Sequence, residues 1–130
     1  MSDIKILRIG IAPRDYIRER TIAVAKGRPL ARHEPRHWVS SLDALARVLN
    51  EKNMLLLEMI RASQPQSLTE LAELSGRAKS NLSRTLHSME GFGLIAFKDL
   101  SDGRRAPVVP YDKLRFEWPL ARARLKDKAA

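Results

Sequence analysis

A run of polar side chains suited to hydrogen bonding with DNA bases lies between residues 79 and 87. Its members are Lys79, Ser80, Asn81, Ser83, Arg84 and His87. In the major groove, arginine pairs with guanine O6 and N7, and asparagine pairs with adenine N6 and N7. No acidic residue interrupts the run before Glu90, whereas a merely solvated helix face usually carries charges of both signs. The pattern predicts a DNA-recognition surface, in which His87 is either a phosphate contact or a bystander.

A helix over about residues 78–90 would place these side chains on one face. At 100° per residue, Leu82, Leu86 and Met89 fall on one side of such a helix. We expect this apolar side to pack inward on the preceding helix. The polar run then points away from the protein, where it can enter a groove of the duplex.

The preceding segment has the signature of a short helix followed by a tight turn. Ser67 and Glu70 match a capping box, which satisfies free backbone N–H groups at a helix start. Gly76 ends this helix and allows the next helix to cross it steeply, as in helix-turn-helix units. Arg77 and Lys79 would strengthen the positive N-terminus of the second helix for phosphate binding.

Two short strands, over 94–97 and 106–109, are predicted to form a hairpin after the second helix. The turn between them contains Asp102-Gly103, which favours chain reversal, and then Arg104 and Arg105. An arginine at such a tip can hold a phosphate or enter a narrow minor groove. An ordinary charged turn is the alternative, because two aspartates lower the local positive charge.

The remaining pattern completes an α+β fold that is mainly helical with a small hairpin, the winged helix-turn-helix class. A short strand is expected within residues 4–11, a helix between Pro13 and Gly27, and an extended linker or arm up to Pro35. Two further helices are expected, one after Ser40 and one over about 52–62. The predicted domains are an N-terminal basic arm and linker (1–39), a winged helix-turn-helix domain (40–120) and a basic tail (121–130). The tail is expected to be solvated or to bind phosphate loosely.

Composition supports a polyanionic partner. The chain of 130 residues carries a formal charge of +9 with a pI near 10.5, and such a field attracts nucleic acid first and an anionic membrane or acidic protein second. The N-terminus lacks a signal-peptide pattern, and the longest apolar run, Met54 to Leu57, is too short to cross a bilayer. We therefore expect a cytoplasmic protein without a membrane partner. This apolar run is either core or part of a homodimer contact.

Patterns for catalysis and metal binding are weak. The chain has no cysteine, which excludes disulfides and thiolate chemistry. His33 and His37 have the spacing of helical metal ligands, but Pro35 lies between them and no third ligand is evident. No acid/base pair, Gly-rich phosphate loop or nucleophile–histidine motif stands out. We expect neither enzyme activity nor a cofactor or metal.

Two strings carry a resemblance to a known family. Residues 67–76 followed by 79–86, and the sequel 89–95, resemble the MarR-type winged-helix transcription regulators. The chain over about residues 10–120 is also similar to a group of small predicted DNA-binding proteins of bacteria and archaea. The marks of that group are Arg18–Thr21, Trp38, Ser41-Leu42 with Leu45, Glu51–Asn53 and Pro107–Asp112. Its members are often encoded beside a TumE-type toxin, so the resemblance implies an antitoxin that represses its own operon. Ala78 departs from the family, which commonly has an acidic helix cap there.

Three functions follow as hypotheses. The first is a sequence-specific transcription regulator, a homodimer that reads double-stranded DNA. The second is an antitoxin that binds a toxin protein through the basic arm 1–39, and it is compatible with the first. The third is a nonspecific binder of nucleic acid or membrane surfaces.

Overall fold

The computed structural model describes residues 3–120 and shows an α+β fold. The described helices are α1 (Arg14–Ala25), α2 (Leu42–Val48), α3 (Glu51–Ser63), α4 (Leu68–Ser75) and α5 (Lys79–Gly91). The strands are β1 (Ile6–Ile11), β2 (His37–Val39), β3 (Ala96–Asp99), β4 (Arg105–Val108) and β5 (Lys113–Glu117). Residues 3–43 and 112–120 form one compact unit, and Ala44–Tyr111 form the other. Residues 112–120 thus group with the N-terminal segment. The predicted tail 121–130 lies outside the described residues.

The first unit is built on a parallel three-stranded sheet with β1 in the centre. The strand order is β2-β1-β5, with Ile9 beside His37 on one side and Phe116 on the other. Alternate residues Leu7, Ile9 and Ile11 of β1 are buried, as expected for a strand with one apolar face. The predicted strand within 4–11 and the predicted helix between Pro13 and Gly27 are confirmed. Strands β2 and β5 were not predicted.

Trp38 in β2 packs directly on the backbone of β1. A Cβ atom at Gly10 would overlap the Trp38 indole, so only glycine fits beneath the ring. The indole also lies 5.4 Å from the Tyr16 ring, centroid to centroid, and the Arg20 guanidinium lies 4.9 Å from its centroid. These contacts attach α1 to the sheet.

The segment predicted as an extended linker is tied to α1 by the half-buried carboxylate of Glu34. Glu34 Oε1 lies 3.0 Å from Arg20 Nε and 2.6 Å from Arg28 Nη2. Glu34 Oε2 accepts a hydrogen bond from the Ala31 N–H, and Arg20 Nη2 donates to the Pro35 carbonyl at 2.7 Å. The segment therefore folds back on itself, which local composition did not reveal.

The apolar face of helix α3 is rotated by about one residue from the face that the sequence predicts. Its side chain cap is Asn50, which accepts from the Asn53 N–H at 2.8 Å, and Gln64 ends it in a left-handed conformation. The buried apolar side chains are Leu56, Leu57 and Ile60. Leu55, expected on this face, is instead 58% exposed. Four consecutive apolar residues leave the face undetermined by periodicity alone.

Helix α4 begins and ends as predicted. Ser67 Oγ accepts from the Glu70 N–H at 3.1 Å, and Gly76 ends the helix with a positive φ of 71°. The Glu70 carboxylate accepts from the Gln66 N–H, one residue before the partner expected in a capping box. Leu71 is fully buried, but Leu74, expected on the inner face, is 46% exposed.

The predicted hairpin is present, shifted by one or two residues. Strands β3 and β4 pair antiparallel with Phe97 opposite Pro107, and Leu94 and Ile95, assigned to the first strand, are buried just before it. In the described part of the chain, no helix combines the length and apolar character needed to span a lipid bilayer.

The Glu34 ion pairs make stability depend on pH. Burial alone would raise the pKa of the Glu34 carboxyl, but hydrogen bonds from Arg28 and the Ala31 N–H, with the charge of Arg20, lower this pKa below its usual 4.5. A lowered pKa contributes stability above pH 4.5, and this stability is lost as pH falls through the folded-state pKa.

We expect Glu34→Gln to lower the free energy of unfolding at pH 7 by about 3 kcal/mol, because two largely buried arginines lose their charge partner. Below pH 4.5, the free energy of unfolding of the variant should also fall less steeply than that of the parent protein. Urea unfolding at pH 7 and at acidic pH measures both effects. The matched control Glu58→Gln alters an exposed carboxylate on α3 and should change little. An unchanged pH profile in Glu34→Gln would contradict this role.

Candidate nucleic-acid interface

The inner face of α5 anchors the helix. Leu82, Leu86 and Met89 are each at most 1% exposed, and their three- and four-residue spacing places them on one side. The predicted inward orientation of these side chains is confirmed. Each buried side chain of this size stabilises the fold by roughly 1.5–3 kcal/mol relative to exposure, so the rotation of α5 about its axis is strongly fixed.

The outer face of α5 is open to solvent. All six side chains of the predicted recognition run are exposed: Lys79, Ser80, Asn81, Ser83, Arg84 and His87. Within residues 3–120, none of these six side chains has a hydrogen bond or ion pair. Their donors and acceptors are therefore available to a ligand. We name these six residues the α5 polar face.

One edge of the α5 polar face borders a shallow groove. The groove has a volume of about 220 Å³ and is lined by Val48, Asn53, Asn81, Arg84, Thr85 and Ser88. The side chains of Asn81 and Arg84 thus adjoin the start of α3 while staying exposed. The sequence analysis gave Asn53 and Thr85 no role in a binding site, because nothing in the local pattern shows that separate helices meet there.

Arg77 is turned toward α3. Its Nη1 donates to Asn53 Oδ1 and its Nη2 donates to the Lys52 carbonyl, both at 3.0 Å. The Asn53 amide in turn donates to the Val48 carbonyl at 2.9 Å. Two of the five N–H donors of the guanidinium are therefore used to connect the turn before α5 to α3. The expected phosphate contact by Arg77 stays a prediction, with fewer donors free to make it.

The start of α5 lacks a side-chain cap. Ala78 occupies the N-cap position in extended conformation, and its side chain cannot accept a hydrogen bond from the first turn. No acidic residue lies in the first turn of α5, so the positive end of the helix dipole is not neutralised by its own chain. This end, next to Lys79, is suited to an anion such as a phosphate.

The arginines of the hairpin turn are paired with aspartates. Arg104 Nε lies 2.7 Å from Asp102 Oδ2, and Arg105 Nε lies 3.2 Å from Asp99 Oδ1. The hydrogen bond from the Arg104 N–H, followed by the one from its side chain, lowers the pKa of Asp102. Both ion pairs are exposed and are therefore weak, so a phosphate could compete for either arginine.

Arg105 has an additional contact within the hairpin. Its guanidinium carbon lies 4.9 Å from the Phe97 ring centroid, which orients the side chain across the strand pair. Gly103, with φ of 89°, allows the turn that brings the Leu100 N–H to the Arg104 carbonyl. The two arginines predicted for the hairpin are thus on its turn and its second strand, both exposed.

Substitution of Arg77 tests whether its hydrogen bonds to α3 stabilise the fold. We expect Arg77→Ala to lower the free energy of unfolding by about 1–3 kcal/mol, because the buried Asn53 loses a hydrogen-bond partner. The matched control Lys79→Ala removes a side chain without a partner in residues 3–120 and should change stability by less than about 0.5 kcal/mol. Denaturant unfolding measures both, and equal stabilities of the two variants would refute the brace.

A cap introduced at Ala78 should stabilise the start of α5. We expect Ala78→Ser to raise the free energy of unfolding by about 1 kcal/mol, because a hydroxyl can accept from a free N–H of the first turn. Thermal or urea unfolding checks the change. Ala62→Ser, at an exposed position inside α3, should give no gain, and a gain of similar size there would show that capping is not the cause.

Comparison with known proteins places the chain in a family. The model of the HVO_A0114 family matches residues 48–116, a range that includes α3, α4, α5, the hairpin and most of β5. No curated protein and no solved structure matches the chain. Because the family match covers slightly more than half of the 130 residues, this chain belongs to the HVO_A0114 family.

Proposed function

We propose that the protein is a sequence-specific transcription regulator that binds double-stranded DNA through a winged helix-turn-helix. In this proposal α4 is the supporting helix, residues 76–78 are the turn, α5 is the recognition helix and the β3–β4 hairpin is the wing. The order and short connections of these elements support the assignment.

The α5 polar face is the observation on which the proposal rests. A basic protein presents a helix whose apolar side is completely buried and whose opposite side has no acid before Glu90. Its Arg84 and Asn81 are exposed and have no side-chain partner within residues 3–120. These are the residue types that read guanine and adenine in the major groove.

Roles can be proposed for the individual side chains. Arg84, Ser80 and Asn81 would contact base edges, while Ser83, Lys79 and His87 would lie at their flanks or on phosphates. Arg104 and Arg105 would hold phosphates or the minor groove after exchanging their aspartate partners. For Arg77 we propose bracing as its main role, because its guanidinium is bonded to α3.

The proposed assembly is a homodimer in the cytoplasm that represses its own operon. Two copies of α5 would enter successive major grooves, about 34 Å apart on a pseudo-palindromic site. Binding to the DNA upstream of its own gene across a salt series tests this function. A scrambled duplex of equal length is the control, and equal affinity for both duplexes at every salt concentration would contradict sequence-specific regulation.

Two arginine variants should separate base reading from phosphate binding. We expect Arg84→Ala to weaken cognate binding by roughly 1–3 kcal/mol and to relax the preference at one base position. Arg104→Ala should weaken cognate and random DNA alike and reduce the salt slope by about one unit. Fluorescence anisotropy on both duplexes measures these effects. Identical behaviour of the two variants on the two duplexes would show that these roles are wrong.

A second candidate function, an antitoxin that neutralises a toxin protein, is supported by the first unit. Within the proposed toxin-binding segment 1–39, the large apolar side chains Ile4, Ile22 and Leu30 are exposed. A protein partner could cover exposed apolar side chains of this kind. Co-expression with the product of the adjacent gene, followed by co-purification, tests this function, and absence of a complex would argue against it.

A further inference from the structure

We propose that β5 pairs with β5 of a second copy of this chain, which joins two parallel sheets into one continuous sheet. The inference deepens the homodimer of the proposed function by naming its interface. It rests on the open edge of β5, on the order of its charges and on the exposure of its apolar residues.

The outer edge of β5 is open in the described structure. Within residues 3–120, β5 pairs only with β1, and β2 forms the opposite edge of the sheet. Strand β2 has three residues, whereas β5 has five. A longer edge strand with unpaired backbone groups is a template for another strand. Of the two edges, β5 is therefore the one suited to association.

Four of the five residues of β5 are exposed, and Leu114 is half-buried. Phe116 is 45% exposed, and Trp118, just after the strand, is 51% exposed. Within residues 3–120, the exposed side chains of Arg115 and Glu117 have no hydrogen bond or ion pair. Phe116 is therefore an exposed apolar residue flanked by two opposite charges that have no ion-pair partner in the described residues.

The sequence of β5 is complementary to a second, antiparallel copy of the same strand. A two-fold axis at Phe116 makes two β5 strands antiparallel and places Arg115 of each copy opposite Glu117 of the other. The two Phe116 side chains then face each other, and Leu114 lies opposite Trp118. Opposite charges and apolar pairs at facing positions stabilise antiparallel strands. Shifting the axis to Arg115 would instead oppose the two Arg115 side chains, so the register centred on Phe116 is favoured.

The absence of cysteine from the sequence allows a direct test of this register. In the Phe116→Cys variant the two facing Cα atoms would lie about 4.5–5.5 Å apart, within disulfide range. In the control Lys113→Cys the two sulfur-bearing residues would lie about 20 Å apart along the strands. Under mild oxidation we expect a disulfide-linked dimer for Phe116→Cys only, visible on a non-reducing gel. Equal cross-linking of both variants, or cross-linking of neither, would overturn the interface.

Charge reversal provides an independent test that does not use DNA. We expect Arg115→Glu and Glu117→Arg to raise the dimer dissociation constant by about tenfold each, because two facing pairs become like-charged. The double variant Arg115→Glu/Glu117→Arg should restore dimerisation to near the original level. Sedimentation measures the oligomeric state. A monomeric parent protein, or a double variant as weak as the single ones, would refute the β5 interface.

The outcomes separate this inference from the proposed function. If the parent protein binds its upstream DNA specifically but fails the two interface tests, the β5 dimer is wrong and DNA regulation stands. If the interface tests succeed while cognate and scrambled DNA bind equally, the dimer stands and sequence-specific regulation is wrong.

Discussion

Burial of one side of α5 is the constraint on which the candidate interface depends. Leu82, Leu86 and Met89 together remove an apolar stripe from water, and rotating the helix to hide its polar side would expose that stripe at a cost of several kcal/mol. Side-chain chemistry and orientation are therefore coupled: the residues that could read DNA face outward because the residues that stabilise the unit face inward.

Polar contacts add defined connections between the helices and at their ends. Arg77 and Asn53 join the turn before α5 to the first turn of α3 through directional hydrogen bonds, while Ser67 and Gly76 set the ends of α4. These hydrogen bonds have defined partners and directions, and they add to the positioning that side-chain packing provides. In the first unit, Glu34 has the same function for α1 and the segment that follows it.

Sequence reasoning succeeded where the deciding interactions are local. The Ser67 cap, the Gly76 turn and the buried leucines of α5 all follow from neighbours within a few positions, and each is present. It failed where the interacting residues are far apart in the sequence. Arg20 pairs with Glu34 across a turn, and β5 pairs with β1, which lies more than a hundred positions earlier. The alternating pattern Lys-Leu-Arg-Phe-Glu at 113–117 is a local strand signal, although β5 was not predicted. In α3, the uninterrupted run from Met54 to Leu57 could not indicate which leucine faces inward.

The first unit is assembled from both ends of the described chain, with Lys5 bonded to the Asp112 side chain across 107 positions. As a result, synthesis of the continuous unit 44–111 is finished before synthesis of the first unit is complete. Residues 44–111 are continuous, so all of their partners within this unit are synthesised before β5, the third strand of the sheet. Strand β1 is made first but must wait for residues 113–117 to complete its pairing, and closing so long a loop is intrinsically slow. During translation, the α4–α5 segment can therefore be in place while one side of β1 is still unpaired.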